Sequence, residues 1–310
     1  MLDNRVYEIL DYMPVHVKCM FKNVFDISCC TVEEIRIRIG KPIVACIMGE
    51  NYAVLPDGTL SPKLTAGYLA SSADVKSIFQ AMCENSVYAY LEEIRQGFLT
   101  IKGGHRVGFS GRVVTDGADI TNFREISSLN IRIAHEIIGA ADPIMPQIMP
   151  DGRVRSTLVI APPLAGKTTL LRDITRQISN RGVKVALVDE RGELAAMYQG
   201  EAQNDVGVQT DVMENAPKRL AIIMMLRAMA PQVIVTDEVA TAEEVSALLS
   251  AAGTGVSILA STHGSSLDEV RRRGVLTPLF GANIFEQVIV LQSISVGTKQ
   301  TVTADVIQVS

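Results

Sequence analysis

Ala161-Pro162-Pro163-Leu164-Ala165-Gly166-Lys167-Thr168-Thr169-Leu170-Leu171 is the stretch on which the reading of this chain turns. It follows a short apolar run at 157–160 and opens a helical pattern at 167–180, which Arg181-Gly182 ends. A buried strand, a tight turn and a helix start, in that order, make a phosphate-binding loop. The turn aims backbone amides at the anion, and the first helical turn adds unsatisfied N–H groups and the positive end of the dipole. On this reading Pro162, Pro163, Leu164, Ala165, Gly166, Lys167, Thr168 and Thr169 surround the phosphates. Lys167 reaches the β- and γ-phosphates, and the Thr168 hydroxyl is a ligand for Mg²⁺. The usual pattern is GxxxxGK[ST]; here Ala161 takes the first glycine position, where a Cβ is costly if φ must be positive.

Three further segments belong with the loop. Val233-Ile234-Val235-Thr236-Asp237-Glu238 is an apolar strand that ends in an acidic pair. Such a pair caps helices in many proteins; beside a phosphate loop it reads as Asp237 holding Mg²⁺ through water and Glu238 polarising the attacking water. Val188-Asp189-Glu190-Arg191-Gly192-Glu193 follows another buried strand. Strand ends of an open parallel sheet border the ligand crevice, which adds Glu190 and Arg191 to the candidates. After a later strand comes Ser261-Thr262-His263, where Thr262 or His263 can sense the γ-phosphate; a solvent-facing loop histidine is the alternative. The candidate catalytic set is therefore Lys167, Glu190, Arg191, Glu238 and His263, with Thr168 and Asp237 for the metal. Arg191, Arg227 and the run Arg271-Arg272-Arg273 are candidates for an arginine offered to a neighbouring subunit, though such a run also suits a solvated face.

Strands and helices alternate through residues 153–310, as in an α/β domain with a parallel sheet and helices on both faces. Residues 141–152 read as a linker, broken by Pro143, Pro146 and Pro150 and turned by Asp151-Gly152. Residues 1–140 read as a smaller α+β domain. Helices are predicted at 4–11, 72–83 and 87–95. Glu34-Ile35-Arg36-Ile37-Arg38-Ile39 alternates as a half-buried strand, with its hairpin partner at 42–48 beyond Gly40-Lys41-Pro42. Two strands are expected around Gly103-Gly104, ending near Gly111, and Ile131-Arg132-Ile133 alternates again. At the Gly103-Gly104 turn His105 reads as structural, whereas Arg106 or Arg112 can reach nucleotide or a neighbouring subunit.

The 310 residues are 47% hydrophobic and 20% charged, an ordinary globular composition with room for two domains. Residues 1–150 hold 14 Lys+Arg against 17 Asp+Glu, and residues 151–310 hold 15 against 17. Neither half is a basic module, so bulk attraction to nucleic acid or an anionic membrane is disfavoured. All five cysteines fall in the first third without a CxxC pair, which suits free thiols in a reducing compartment; Cys29-Cys30 is either a redox pair or two small buried residues. The acidic start MLDNRVYEIL does not read as a secretory signal, and no segment approaches ~20 uncharged apolar residues. A cytoplasmic protein is expected, with membrane contact only through partners.

The motif order Lys167-Thr168-Thr169-Leu170-Leu171-Arg172-Asp173, Asp189-Glu190-Arg191, Thr210-Asp211-Val212, Met224-Met225-Leu226-Arg227, Asp237-Glu238 and Ser261-Thr262-His263 resembles the stage III sporulation protein AA family. The N-terminal part agrees, through Glu34 to Pro42, Ser86-Val87-Tyr88-Ala89, Arg95-Gln96-Gly97 and Gly103-Gly104-His105-Arg106-Val107-Gly108. The resemblance covers nearly the whole chain. It implies a RecA-like P-loop NTPase domain of the secretion and pilus ATPase kind behind an N-terminal domain, assembled as a homo-oligomeric, hexameric ring that uses ATP and Mg²⁺. It also implies a place in endospore formation, on the mother-cell side of a channel complex joining mother cell and forespore, with membrane channel proteins as partners. Members carry glycine at the positions of Ala161 and Leu164, so weaker nucleotide binding or slow hydrolysis is expected here. Three functions follow as alternatives: a working ATPase motor, a nucleotide-gated ring scaffold with little turnover, and a nucleic-acid-dependent translocase. The acidic, evenly spread charge argues against the last.

Overall fold

Charged residues at every second position place β1 (Val32–Arg38) half in and half out: Val32, Ile35 and Ile37 are buried, Glu33 and Arg36 exposed. This computed structural model describes residues 4–28, 31–84, 90–117, 119–163, 165–296 and 299–309. Cys29-Cys30, Leu164 and the first residues of the helix expected at 87–95 lie outside them. The chain divides into two compact units, one of residues Met1–Glu136 with Tyr198–Gln203, the other of Ile137–Met197 with Asn204–Ser310.

In the first unit β1 is followed by β2 (Val44–Ile47), β3 (Glu50–Val54), β4 (Leu60–Ser61), β5 (Phe98–Ile101), β6 (His105–Asp116) and β7 (Asp119–Arg132). Among the described residues they form one sheet in the order β4-β3-β2-β1-β7-β6-β5, antiparallel throughout. Helices α1 (Val15–Ser28), α2 (Ser72–Met82) and α3 (Leu91–Gln96) accompany it. Phe21 and Phe25 of α1 and Ile78 of α2 share one core with Ile35, Ile37, Val107 and Ile131 of the sheet. The sequence reading had no helix at α1, and the helix expected at 4–11 is a 3-10 helix, Asn4–Tyr12. β6 does not stop near Gly111 but continues to Asp116. A Cβ on Gly111 would lie 1.8 Å from the Glu125 carbonyl oxygen, so this glycine marks a register shift against β7 rather than an end. His105 is buried, its Nδ1 accepting from Ala134 N–H (3.0 Å) and its Nε2 3.0 Å from the Arg5 carbonyl, a structural placement. Arg106 lies over the Phe98 ring.

The second unit contains α4 (Met145–Ile148), β8 (Thr157–Ala161), α5 (Lys167–Asn180) and β9 (Val185–Asp189). After a short ribbon, β10 (Met197–Tyr198) and β11 (Glu201–Ala202), whose residues from Tyr198 on belong to the first unit, come β12 (Thr210–Glu214), α6 (Lys218–Ala228), β13 (Val233–Thr236) and α7 (Ala242–Ala252). Then come β14 (Ser257–His263), α8 (Leu267–Arg272), α9 (Thr277–Gly281), β15 (Gln287–Val296) and β16 (Lys299–Gln308). Among the described residues the main sheet runs β12-β9-β13-β14-β8-β15-β16, parallel except for the β15–β16 hairpin. Every residue of β8, β9 and β13 is buried, because both faces are covered. Val159, Leu187 and Val235 pack with Leu171, Ile174 and Ile178 of α5. Ile160, Val188 and Ile234 pack with Ile222 and Met225 of α6 and Leu248 of α7. Each such side chain contributes about 1.5–3 kcal/mol.

The segment read as a linker behaves as core. Ala141, Ile144, Met145 and Ile148 are buried with α5, and Ala141 N–H donates to Asp173 Oδ2 at 2.8 Å. Of its prolines, Pro146 lies in the first turn of α4, where its missing N–H costs nothing.

Candidate functional site

Parallel register brings four strand ends to one edge of the sheet. His263 pairs with Ala161, and Thr236 pairs with both Ala260 and Val188. The loops after β8, β9, β13 and β14 therefore converge there, at the carboxyl ends where an open α/β sheet takes its ligand.

Gly166 precedes α5 with φ +80°, and no side chain caps the helix. Left-handed backbone there favours glycine, and the uncapped first turn leaves its amides free for an anion. Lys167, the first helical residue, is 9% exposed, and its Nζ has no hydrogen-bond partner among the described residues. Burial pushes its pKa down, against the pull of the Glu238 and Asp237 carboxylates. Thr168, Thr169 and Pro162 are half-buried, Ala165 is buried and Pro163 exposed. Leu164 lies outside the described residues. Ala161 is the last residue of β8, buried and extended, and so needs no positive φ. The steric cost expected from its Cβ does not arise.

Asp237 is buried directly after β13, with Oδ1 making no hydrogen bond. Burial raises its pKa and the Lys218 ammonium opposes the rise. Glu238 adopts φ +43°, its N–H donating to Ser261 Oγ at 3.0 Å. Its carboxylate is held from two sides, by Arg191 on Oε2 and by His263 Nε2 at 2.7 Å from Oε1. Sequence placed all four of Glu238, Arg191, His263 and Ser261 near the strand ends; only the structure shows that the other three each meet Glu238. Thr262 turns elsewhere, its hydroxyl donating to the Val239 carbonyl at 3.2 Å.

The Asp189 carboxylate does not face the crevice. It accepts the N–H groups of Glu193 (2.9 Å), Leu194 (3.0 Å) and Ala195 (2.8 Å). Arg172 holds the same loop through the Glu193 and Leu194 carbonyls. Asp189 thus shapes the loop that presents Glu190 and Arg191. Burial raises its pKa despite the three amides. Asp189→Ala would strand two buried donors and a half-buried one, and we expect a loss of about 3 kcal/mol in urea denaturation. A change below about 0.5 kcal/mol would show that the loop does not depend on it.

Lys218, at the start of α6, escaped the sequence reading. It is buried, with Nζ donating to the Glu238 carbonyl (3.1 Å) and lying 3.5 Å from Asp237 Oδ1 and 3.7 Å from Glu190 Oε2. The available signal was a lysine in the first turn of a helix, where the dipole disfavours a cation. Of the other arginines, Arg273 is engaged by Glu269 and the His263 carbonyl, Arg271 lies over Phe280, and Arg227 is exposed.

An uncapped helix start, a buried lysine whose ammonium makes no hydrogen bond among the described residues, and an acidic strand end thus lie at one edge of the sheet. The fold agrees with solved secretion and pilus ATPases. The chain superposes on the Legionella pneumophila ATPase DotB with TM-score 0.63, at 16% identity over 96% of this chain and 81% of that one. On the pilus retraction motor PilT, solved with ADP, the TM-score is 0.60, at 14% identity over 93% of this chain and 82% of that one. The second unit thus has the RecA-like fold. The sequence profile of sporulation stage III protein AA matches residues 3–303, and this chain belongs to that family. It is 35% identical over 286 residues to stage III sporulation protein AA of Bacillus subtilis (strain 168), covering 90% of this chain and 89% of that protein. No helix among the described residues is long and apolar enough to cross a membrane.

Proposed function

We propose that this chain binds ATP with Mg²⁺ and hydrolyses it as the motor of a secretion-like membrane complex in sporulation. The observation that carries the reading is the Lys167 ammonium, buried and without a hydrogen bond among the described residues, beside an uncapped helix start. A buried cation in that state costs several kcal/mol, and polyphosphate supplies the missing partner. Lys167 and the first-turn amides of α5 would hold the β- and γ-phosphates. A cleft of about 380 Å³ beside Gly166 and Thr169, lined by Ile137, Ile144, Leu291 and Val306, suits a flat apolar ring such as the base.

Thr168 and Asp237 would hold Mg²⁺. Asp237 Oδ1, buried, without a hydrogen bond among the described residues and faced by the Lys218 ammonium at 3.5 Å, fits that role. Among the described residues no group of three or more His, Cys, Asp or Glu side chains is arranged to hold a metal alone, so phosphate oxygens would complete the shell. When bound, the ion would neutralise charge on the phosphates. Glu238 would take a proton from water as its oxygen attacks the γ-phosphorus and the bond to the bridging oxygen breaks, releasing ADP and phosphate. His263 and Arg191 would set the direction of the Glu238 carboxylate, with Glu190 beside them. A homo-oligomeric, hexameric ring on the mother-cell side, docked on membrane channel proteins, completes the proposal.

The test is phosphate release and nucleotide binding by the purified protein, with and without Mg²⁺, recorded with oligomeric state in the same samples. Magnesium-dependent turnover supports the motor. Absence of both binding and release in every assembly state overturns it. One observation favours a second reading, the nucleotide-gated scaffold: both Glu238 oxygens are already engaged by Arg191 and His263. Tight binding with negligible release would select that reading.

A further inference from the structure

Lys218 is placed against two physical preferences at once. It is 4% exposed, and it occupies the first position of α6, where the helix dipole repels a cation. Offsetting both are the Glu238 carbonyl at 3.1 Å and three carboxylates, Asp237 at 3.5 Å, Glu190 at 3.7 Å and Glu244 at 3.9 Å. The hydrolytic scheme gives this lysine no task. Yet it stands 3.5 Å from Asp237 Oδ1, which is buried at the end of β13 and makes no hydrogen bond among the described residues.

We propose that Lys218 is a tethered counter-ion that makes divalent-cation binding at Asp237 conditional on the phosphates of the nucleotide. The inference rests on the reading of Asp237 as a cation-holding residue. In the nucleotide-free chain an incoming divalent ion meets Asp237 already facing Lys218, and Glu238 already paired with Arg191 and His263. Lys167 adds a second ammonium that interacts with the same acidic pair. A fixed positive charge within about 5 Å weakens divalent binding at least tenfold, even at an effective dielectric constant of about 20. A triphosphate brings several negative charges and its own oxygens, which outweigh one lysine. The cation then arrives with the nucleotide and leaves with the product. A resident metal ion that would hold the acidic loops together after phosphate release is avoided, because Lys218 holds them instead.

Mn²⁺ serves as the probe, its free concentration followed by electron paramagnetic resonance in nucleotide-free full-length protein. Wild type should take up little Mn²⁺. Lys218→Met should bind it at least about tenfold more tightly, Lys218→Arg should behave as wild type, and adding Asp237→Asn to Lys218→Met should remove the gain. A purely structural lysine predicts the opposite, with affinity unchanged or lost in Lys218→Met. Should Lys218→Met fail to fold, Lys218→Met/Glu244→Gln removes one charge of each sign and is read against Glu244→Gln alone, so that the lysine is again the only difference. Glutamine still serves the Thr241–Glu244 capping box, so that variant carries the same comparison. Unchanged Mn²⁺ affinity in Lys218→Met against wild type, or in the double variant against Glu244→Gln, overturns the proposal. A fluorescent ATP analogue titrated with Mn²⁺ into wild type separates the two levels: no binding there overturns the nucleotide reading itself, whatever Lys218 does.

Discussion

Glu238→Gln should lower ATP turnover about 10³-fold while ATP binding stays within about twofold of wild type. The amide has the size of the carboxylate and still offers an oxygen to His263, so the left-handed turn at Glu238 and its bond to Ser261 are preserved. It cannot take a proton from water, and it gives up the ion pair with Arg191. Phosphate release and equilibrium binding of a fluorescent ATP analogue, on the same preparations, check both halves. Equal turnover in variant and wild type would remove Glu238 from the chemistry. Loss of binding alongside turnover would mean that the Arg191–Glu238 pair is a structural strut.

Lys167→Met should weaken ATP binding about 100-fold or more, since it removes charge-assisted bonds to phosphate. The same substitution should leave the nucleotide-free protein at least as stable as wild type. Methionine retains the apolar stem and deletes a buried ammonium that has no hydrogen-bond partner. The pH dependence has a definite sign. Lys167 has a pKa below the ordinary 10.5, so above the folded value the unfolded chain binds more protons, and wild-type stability rises with pH. The advantage of Lys167→Met should therefore be largest below the folded pKa and shrink as pH climbs towards 10.5. Thermal unfolding at several pH values, without nucleotide, measures it. A variant less stable than wild type at neutral pH would show that Lys167 has a partner of its own.

Much of the second unit was legible because its signals are local. Apolar runs at 157–160 and 233–235 can only be strands covered on both faces, and Gly166-Lys167-Thr168 after such a run has a direct physical reading. The first unit was less legible. The sequence pattern does not single out helix α1, and a glycine such as Gly111 suits a strand end as well as a register shift. Its absent Cβ is explained only by the Glu125 carbonyl across the ladder. Asp189 illustrates the same limit within the site. A carboxylate after a parallel strand suggests a ligand group, but three amides four to six residues on capture it, and hydrogen bonds that close a loop leave no periodic trace. Ala161 raised an expectation of strain that vanishes because the strand extends one residue further than the motif pattern supposes.

By itself the sequence determined the parallel α/β class of the second unit, the glycine turn that opens α5, the acidic end of β13 and the family. These rest on hydrophobic periodicity, on the φ that glycine allows and on motif order, all of which are properties of contiguous residues. The tertiary structure alone decided which charges meet. Lys218 is 19 residues from Asp237 in the chain and 28 from Glu190, yet strand register brings its ammonium within 4 Å of both. Coulomb energy depends on separation in space and on the dielectric of the surroundings, and chain order encodes neither.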